Sequence, residues 1–489
     1  MIKIDFLSTN NRKKYEQNDI GTSRLFIDSF SDEIVYCADA GEWFVWNGKH
    51  WERDICLHRN ELIKNLYDYC ISHIFSLRQL DQKEQSELLK YYCKLSDKNY
   101  RDKIMKDAMS VNPIPSKIFD SHKFLFNCQN GTYDFKKNKF RDFNKNDYLT
   151  DISNVTYNPD AECPMFEKYL YEVMENDLTK IDYIMKIAAY CLTGDTSREC
   201  FFVFYGDKTR NGKGTFVSTY TYLAGTYSQT LNPASITKKQ TNNGGSSASP
   251  DLAKLKGARI ASVNELEDGM VLDIALMKSL TGGDTMTARF LYKEEFEFAP
   301  QFKVIINTNV LPRMSDDTIF KSDRIHLLCF DRHFELAERD MMLKDKLRSE
   351  ISGIFNILIL AYQKLLKEGF IFPESTRKTI EQYQLNSNNV MAFTEDVLYE
   401  NASSYERTAD IYKKYTDWID ENGLKPLAKK TFRAKFEQLG AMYFDKSSHK
   451  NDAGKSDNTT WYKGFSLTKP KTETIEQLKM TETEDNLPF

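Results

Sequence analysis

The sequence predicts a multidomain α/β chain: a small mixed α+β N-terminal domain, a central P-loop core and a C-terminal winged helix. Three observations predict it. At 489 residues the chain exceeds what one hydrophobic core usually supports, so three or four domains are expected. Phe201-Phe-Val-Phe-Tyr205 is a short aromatic and β-branched run, which reads as a buried strand. It ends at Gly206, and a polar loop leads to Gly212-Lys213-Gly214-Thr215 and a stretch of helical character over 216–223. Beyond residue 411 a helix, a turn, a basic helix and two strands follow in order.

Strand, glycine loop ending in Gly-Lys, then helix is the plan of a phosphate-binding loop. Glycines let backbone N–H groups face phosphates, the helix N-terminus favours an anion, and Lys213 can reach the β- and γ-phosphates. Asn211, Gly212, Lys213, Gly214 and Thr215 are the nucleotide-binding candidates, with ATP and Mg²⁺ as cofactors. The match departs in two places. Gly206 lies one residue further from Gly212 than the G-x-x-x-x-G-K-[ST] pattern asks, and Gly214 takes the Ser/Thr slot, leaving Thr215 as the nearest hydroxyl for the metal. The plain alternative is a glycine-rich turn between a strand and a helix.

Composition narrows the class without naming a partner. A net charge of −4 neither favours nor opposes nucleic acid, so any basic surface must be local. Nine cysteines occur with no C-x-x-C pair, which suggests neither a zinc site nor a disulfide framework. The N-terminus does not read as a signal peptide and no apolar stretch is long enough to span a membrane, so a cytoplasmic location is expected.

In order along the chain, 20–54 reads as a helix followed by a β unit. Trp43-Phe-Val-Trp46 is a strand, Asn47-Gly48 a tight turn and His50-Trp51-Glu52 the return strand. Trp43, Trp46 and Trp51 suit cross-strand packing, with base stacking as the other reading. Residues 60–109 are helical, 124–155 form a second β unit, Asn158-Pro159 marks a boundary, and 165–192 are helical again.

Past the loop, 237–250 is poor in apolar residues and reads as a mobile segment or a plain surface insertion. Arg259-Ile-Ala-Ser-Val-Asn-Glu265 is an apolar strand ending in an acid. A P-loop enzyme needs a carboxylate at the end of the strand beside the P-loop to hold Mg²⁺ and polarise water; Glu265 is the choice and Glu267 the reserve. Residues 281–298 take the form of a β-hairpin with its tip at 291–294, and its Arg289 and Lys293 could track a phosphodiester backbone. Phe302-Lys-Val-Ile-Ile-Asn-Thr-Asn309 is a third strand, expected between the P-loop strand and the acid strand, whose Asn309, rather than Asn307, suits a γ-phosphate sensor. Arg324 stands just before another strand, where it can be offered to a neighbouring subunit's ATP; a salt bridge to Asp323 or Asp317 is the alternative.

Residues 332–370 read as a helical lid. In the last domain the second helix, 427–439, carries Lys429, Lys430, Arg433 and Lys435, and the loop between the strands carries Lys446, His449, Lys450 and Lys455. Helix, turn, basic helix and hairpin describe a winged helix whose second helix would enter a major groove; docking of a protein is the alternative. Lys429, Lys430, Arg433 and Lys450 are the DNA-binding candidates. The segment from 468 onward is acidic and reads as disordered. The expected domains are 1–158, a linker 159–195, the motor 196–335, the lid 336–385, the winged helix 386–467 and the tail 468–489.

The loop, acid strand, hairpin, sensor strand and Arg324 resemble the superfamily 3 helicase domain of phage and plasmid primase-helicases, an AAA+ type motor. Trp43 to Asp54, Asn130-Gly131-Thr132, 157–164, 189–195, 249–257, Gly283-Asp284 and Ala288-Arg289 are similar to further landmarks of that family. More narrowly, the chain resembles replication initiator helicases of staphylococcal pathogenicity islands. The resemblance implies Lys213 for phosphates, Thr215 and Glu265 for Mg²⁺ and water, Asn309 as sensor, Arg324 as an arginine finger in trans and Lys293 on a DNA-facing hairpin. It also implies a homo-oligomeric ring, with six subunits the family expectation, a single DNA strand in its channel and duplex origin DNA on the winged helix. No room for a primase is found before residue 21, so a helicase without priming activity is expected. Two other readings stand beside it: a regulatory DNA-binding ATPase that loads or remodels others, and a binding scaffold with a decayed loop.

Overall fold

The computed structural model describes residues 2, 4–78, 80–238, 250–267, 270–292, 294–312, 314, 318–387, 389–422, 426–444 and 459–468. The chain forms two units, Met1–Arg313 with Lys321–Thr376, and Met314–Phe320 with Arg377–Phe489.

The first unit opens with α1 (Asp19–Phe30), whose start is fixed by Asn18: its side chain accepts the Gly21 N–H at 2.8 Å, one of the donors a helix start leaves unpaired. An antiparallel sheet follows, β1 (Ile34–Cys37), β2 (Glu42–Trp46) and β3 (Trp51–Arg53), in that order. Trp46 faces Trp51 across it with ring centroids 5.7 Å apart. Trp43 and Trp51 are buried, so both serve packing as cross-strand aromatics do. Helices α2 (His58–Ser76), α3 (Gln82–Tyr92) and α4 (Lys98–Ala108) close over α1 around Phe26, Leu62, Leu66 and Ile104.

A second antiparallel sheet, β4 (Leu125–Cys128), β5 (Gly131–Asp134) and β6 (Lys139–Arg141), precedes helices α5 (Pro164–Val173) and α6 (Leu178–Leu192). The central elements are β7 (Phe201–Tyr205), α7 (Lys213–Ala224), β8 (Ser228–Leu231), α8 (Pro250–Ala253), β9 (Ile260–Asn264), α9 (Ile274–Thr281), the hairpin β10 (Met286–Ala288) and β11 (Phe296–Phe298), β12 (Lys303–Thr308), α10 (Thr318–Lys321) and β13 (Ile325–Cys329). Five of these strands form one parallel sheet in the order β13-β7-β12-β9-β8. Strands buried on both faces run continuously apolar, as β7 does. Helices α11 (Leu343–Ser349) and α12 (Ile351–Glu368) end the unit. One core joins β4 and β5, α5, α6, the sheet and α12 through Phe126, Phe135, Tyr183, Phe204 and Phe355.

The sheet order places β12 between the P-loop strand β7 and the acid strand β9, as expected of the third strand, so β9 is one strand removed from the loop rather than beside it. The hairpin arms are also shorter than read, so Arg289 lies in the connection rather than on an arm. Residues 239–249 of the polar stretch after the loop lie outside the described residues.

The second unit holds most of α13 (Glu374–Ser387), then α14 (Asn389–Val397), β14 (Tyr399–Arg407), α15 (Thr408–Glu421), α16 (Lys429–Gln438), β15 (Met442–Phe444) and β16 (Trp461–Ser466). Its antiparallel sheet has the order β14-β16-β15. Phe393, Tyr415, Phe432 and Phe436 fill its core.

Candidate active site

Parallel strands present their C-terminal ends at one edge, where α/β proteins bind ligands. Here β7 delivers the loop 206–212 to the start of α7. Gly206 is needed for space, since a Cβ there would overlap the Asn211 amide and lie 2.8 Å from the Phe330 carbonyl oxygen. Asn211 is buried and folds the loop on itself. Its Nδ2 donates to the Lys208 carbonyl at 2.8 Å and its Oδ1 accepts the Lys213 N–H at 3.3 Å. Gly212 adopts a left-handed turn, φ +83°, at the helix cap, a conformation glycine enters without strain. Gly214 faces open space, so nothing steric demands a glycine in the Ser/Thr slot.

Lys213 is only 5 % exposed. Its Nζ donates to the Thr308 carbonyl at 2.5 Å and to Asn309 Oδ1 at 2.6 Å, and burial lowers its pKa to about 8. The adjacent end of β12 therefore holds the lysine ready at the sheet edge. Asn307 turns the other way, donating to Asn264 Oδ1 at 3.1 Å. Glu265 follows β9 at the same edge, exposed, with its N–H bonded to the Asn307 carbonyl at 3.0 Å and its backbone in the left-handed region at φ +59°. Glu267 is likewise exposed. Thr215 lies in the first turn of α7 and its hydroxyl makes no hydrogen bond to the described protein. A threonine hydroxyl and a carboxylate are hard oxygen donors of the kind Mg²⁺ takes, together with phosphates and waters. Among the described residues there is no cluster of three or more His, Cys, Asp or Glu that could hold a metal by protein alone.

Arg324 lies just before β13, at the opposite end of the sheet from the loop. Five strand residues separate the two edges, about 17 Å at ~3.3 Å each. Its guanidinium pairs with Glu199 and donates to Thr281 Oγ1 at 3.0 Å, rather than pairing with Asp323; Asp317 lies outside the described residues. Lys293 and Lys450 lie outside the described residues, as do Lys446, His449 and Lys455.

Two contacts escape a motif search. Tyr169 of α5 is buried and its hydroxyl donates to the Gly212 carbonyl at 2.8 Å, while Val173 packs where a Gly212 Cβ would stand. After β13 the chain returns over the loop: the His333 ring meets the Thr209 carbonyl at 2.7 Å and the Phe334 N–H donates to the Arg210 carbonyl at 3.0 Å. The buried Tyr169 forty-three positions ahead of Gly212 carries no local signal.

In the second unit Lys429 and Lys430 are exposed on α16, and Lys429 lies over the Tyr412 ring at 5.3 Å. Arg433 is more engaged than an open surface cation. It pairs with Glu437 at 3.0 Å and stacks on Tyr443 at 3.3 Å.

A parallel sheet with a strand–glycine loop–helix at its C-terminal edge and a lysine held there defines a P-loop core. Sequence comparison narrows this class. Residues 23–175 match the family described as "D5 N terminal like", 204–324 match "Family of unknown function (DUF5906)", and 385–467 match "Poxvirus D5 protein-like". "Putative helicase L207/L206" of Acanthamoeba polyphaga mimivirus is 27% identical over 443 residues, covering 82% of this chain and 45% of that protein. "Putative helicase 022R" of Frog virus 3 is 23% identical, covering 56% of this chain and 30% of that protein. The chain is thus similar to D5-like families over two stretches and to viral proteins described as putative helicases, and it spans less than half the length of these relatives. Among solved structures, the apo form of the NrS-1 C terminal region (305–718) superposes with a TM-score of 0.47 at 10% identity, covering 88% of this chain and 96% of that one.

Proposed function

We propose that this chain is an ATP-driven DNA helicase that opens DNA at the start of replication of a mobile genetic element. The observation that carries the reading is Lys213 Nζ, buried and held between the Thr308 carbonyl and Asn309 Oδ1 at the edge that also bears Glu265. ATP would lie on the loop with its β- and γ-phosphates on Lys213 and Mg²⁺ on Thr215. Glu265 would orient and polarise the attacking water while Asn309 follows the γ-phosphate. A bound Mg²⁺, held by Thr215 with Glu265 nearby, would offset the charge of the phosphates.

Arg324 sits too far from its own loop to serve it, which supports an assembly in which each subunit completes its neighbour's site. A closed ring, six subunits in our reading, meets that need. The loop between β10 and β11, with Arg289 and Lys293, would grip one strand in the channel. The second unit, with α14, α15 and α16 beside an antiparallel sheet, would act as a winged helix, placing Lys429, Lys430 and Arg433 on α16, and Lys450, against origin DNA. No priming step is assigned to the chain.

Strand displacement on forked DNA with ATP and Mg²⁺, wild type beside Lys213→Ala, tests the reading. Unwinding by the wild type alone supports it. Hydrolysis without unwinding would favour a regulatory ATPase that loads or remodels others, and no hydrolysis would leave a DNA-binding scaffold.

A further inference from the structure

A large cleft of the first unit lies away from the phosphate loop. About 790 Å³ in volume, it lies at the opposite edge of the parallel sheet, between the β1–β3 sheet and the segment entering β9. That volume falls within the ~300–1,000 Å³ of sites that take small ligands. Its walls are aromatic: Phe44 and Trp46 on one side, Phe119 behind and Phe290 opposite. Trp46 and Phe290 are only half-buried, so part of each ring is open, whereas Trp51 is committed to packing through a 2.7 Å bond from its Nε1 to the Lys145 carbonyl.

Cations and acids both reach this space, and their partners decide its character. Asp54 is fully used: its oxygens accept the His58 N–H at 2.6 Å, the Arg59 N–H at 3.2 Å and the Arg59 guanidinium at 2.8 Å. Asp120 accepts the Thr150 N–H and hydroxyl. Burial raises the pKa of Asp120 and of its neighbour Asp151, which disfavours charge on the back wall. Lys254 pairs with Asp251 and Arg53 with Glu42. Lys256 is different. It is half-buried, no described carboxylate lies within ion-pair distance of it, and its contact is the face of Phe296 at 5.5 Å. The Arg53 guanidinium lies 5.9 Å from the Phe290 ring. Half-open rings beside a cation held in no ion pair are what an unpaired nucleotide needs, base on aromatic and phosphate on ammonium, although Asp39 near Lys256 and Glu52 on the lining oppose a phosphate.

We propose that this cleft holds one or two nucleotides of a single nucleic-acid strand, stacked on Trp46 and Phe290 with a phosphate on Lys256. The inference rests on the reading of the chain as a DNA motor and adds to it a second strand contact, remote from the ATP site. Phe290 links the two: it lies in the β10–β11 loop, whose next residues, Leu291 and Tyr292, are 60% and 97% exposed. A strand leaving the proposed hairpin grip would therefore pass directly into the cleft.

The test is binding of a labelled single-stranded oligonucleotide to the full chain without ATP, followed by anisotropy and tryptophan fluorescence. Lys256→Glu and Trp46→Ala should each weaken binding by about tenfold or more. The strand should quench tryptophan emission in the wild type, and less so in Trp46→Ala. Lys256→Glu guards against misfolding as the cause, since it should keep wild-type melting and DNA-free ATP hydrolysis. Wild-type affinity in both variants would overturn the cleft while leaving the motor reading intact. No strand binding by the wild type would sink the motor reading itself. If dAMP quenches the Lys213→Ala protein as well as the oligonucleotide does, the cleft is a free-nucleotide site and the strand proposal falls.

Discussion

Lys213 Nζ and Asn309 Oδ1 are 2.6 Å apart, joining the first turn of α7 to the end of the neighbouring strand β12. The P-loop cation is thus held by the residue proposed to sense the γ-phosphate. Asn309→Ala should leave ATP affinity within a few-fold of wild type, because the Thr308 carbonyl still holds the ammonium. It should lower kcat by about 100-fold or more, as loss of one preorganised polar group in a transition-state site does. Steady-state hydrolysis with a binding titration separates the two.

Nucleotide affinity should fall with rising pH. Burial places the free-state pKa of Lys213 at about 8, below the lysine norm of about 10.4. Phosphate oxygens favour the charged form and raise that pKa on binding. Above about pH 8 binding therefore takes up a proton, and affinity drops by up to tenfold per unit. Titrations from about pH 7 to pH 9 should show this slope, and Lys213→Arg, which stays charged, should flatten it.

Arg324 should act on another subunit's nucleotide. Arg324→Ala and Lys213→Ala proteins should each be inactive alone, and mixing them should restore part of the hydrolysis, since mixed rings contain interfaces with both groups intact. Mixed-subunit assays at constant total protein read this directly; no restoration at any ratio would exclude the trans role.

Gly194→Ala should destabilise the first unit without touching the ATP site. The fully buried Arg259 runs past this glycine to Gln301 and to the His122 carbonyl at 3.0 Å, and a Cβ would intrude on its Nη1. Overpacking of this kind costs about 1–3 kcal/mol, so the melting midpoint should fall while the KM for ATP holds.

What the sequence revealed follows from how locally each feature is written. β7 is legible because Phe201 to Tyr205 is apolar throughout, and Gly212-Lys213 names its own chemistry. Asn309 and Asn307, two apart, would share a face by alternation; they part because β12 ends at Thr308, which leaves Asn309 free to turn to Lys213. β8 was not foreseen because Ser228-Gln-Thr-Leu231 is a polar edge strand held by pairing with β9. β14, largely exposed along its length, was hidden for the same reason. The Glu199 partner of Arg324 and the cleft between 44–58 and 229–290 are invisible locally, since each is assembled from segments far apart in sequence.

The Tyr169 hydroxyl on the Gly212 carbonyl has a consequence for how such chains can be recombined. Residue 169 falls within the N-terminal family match, and Gly212 within the next one. The two modules therefore share a joint inside the proposed nucleotide site. Exchange of N-terminal modules between relatives would import a foreign α5 against the resident loop, so a working hybrid must carry a compatible tyrosine and valine or move its junction upstream of Pro164.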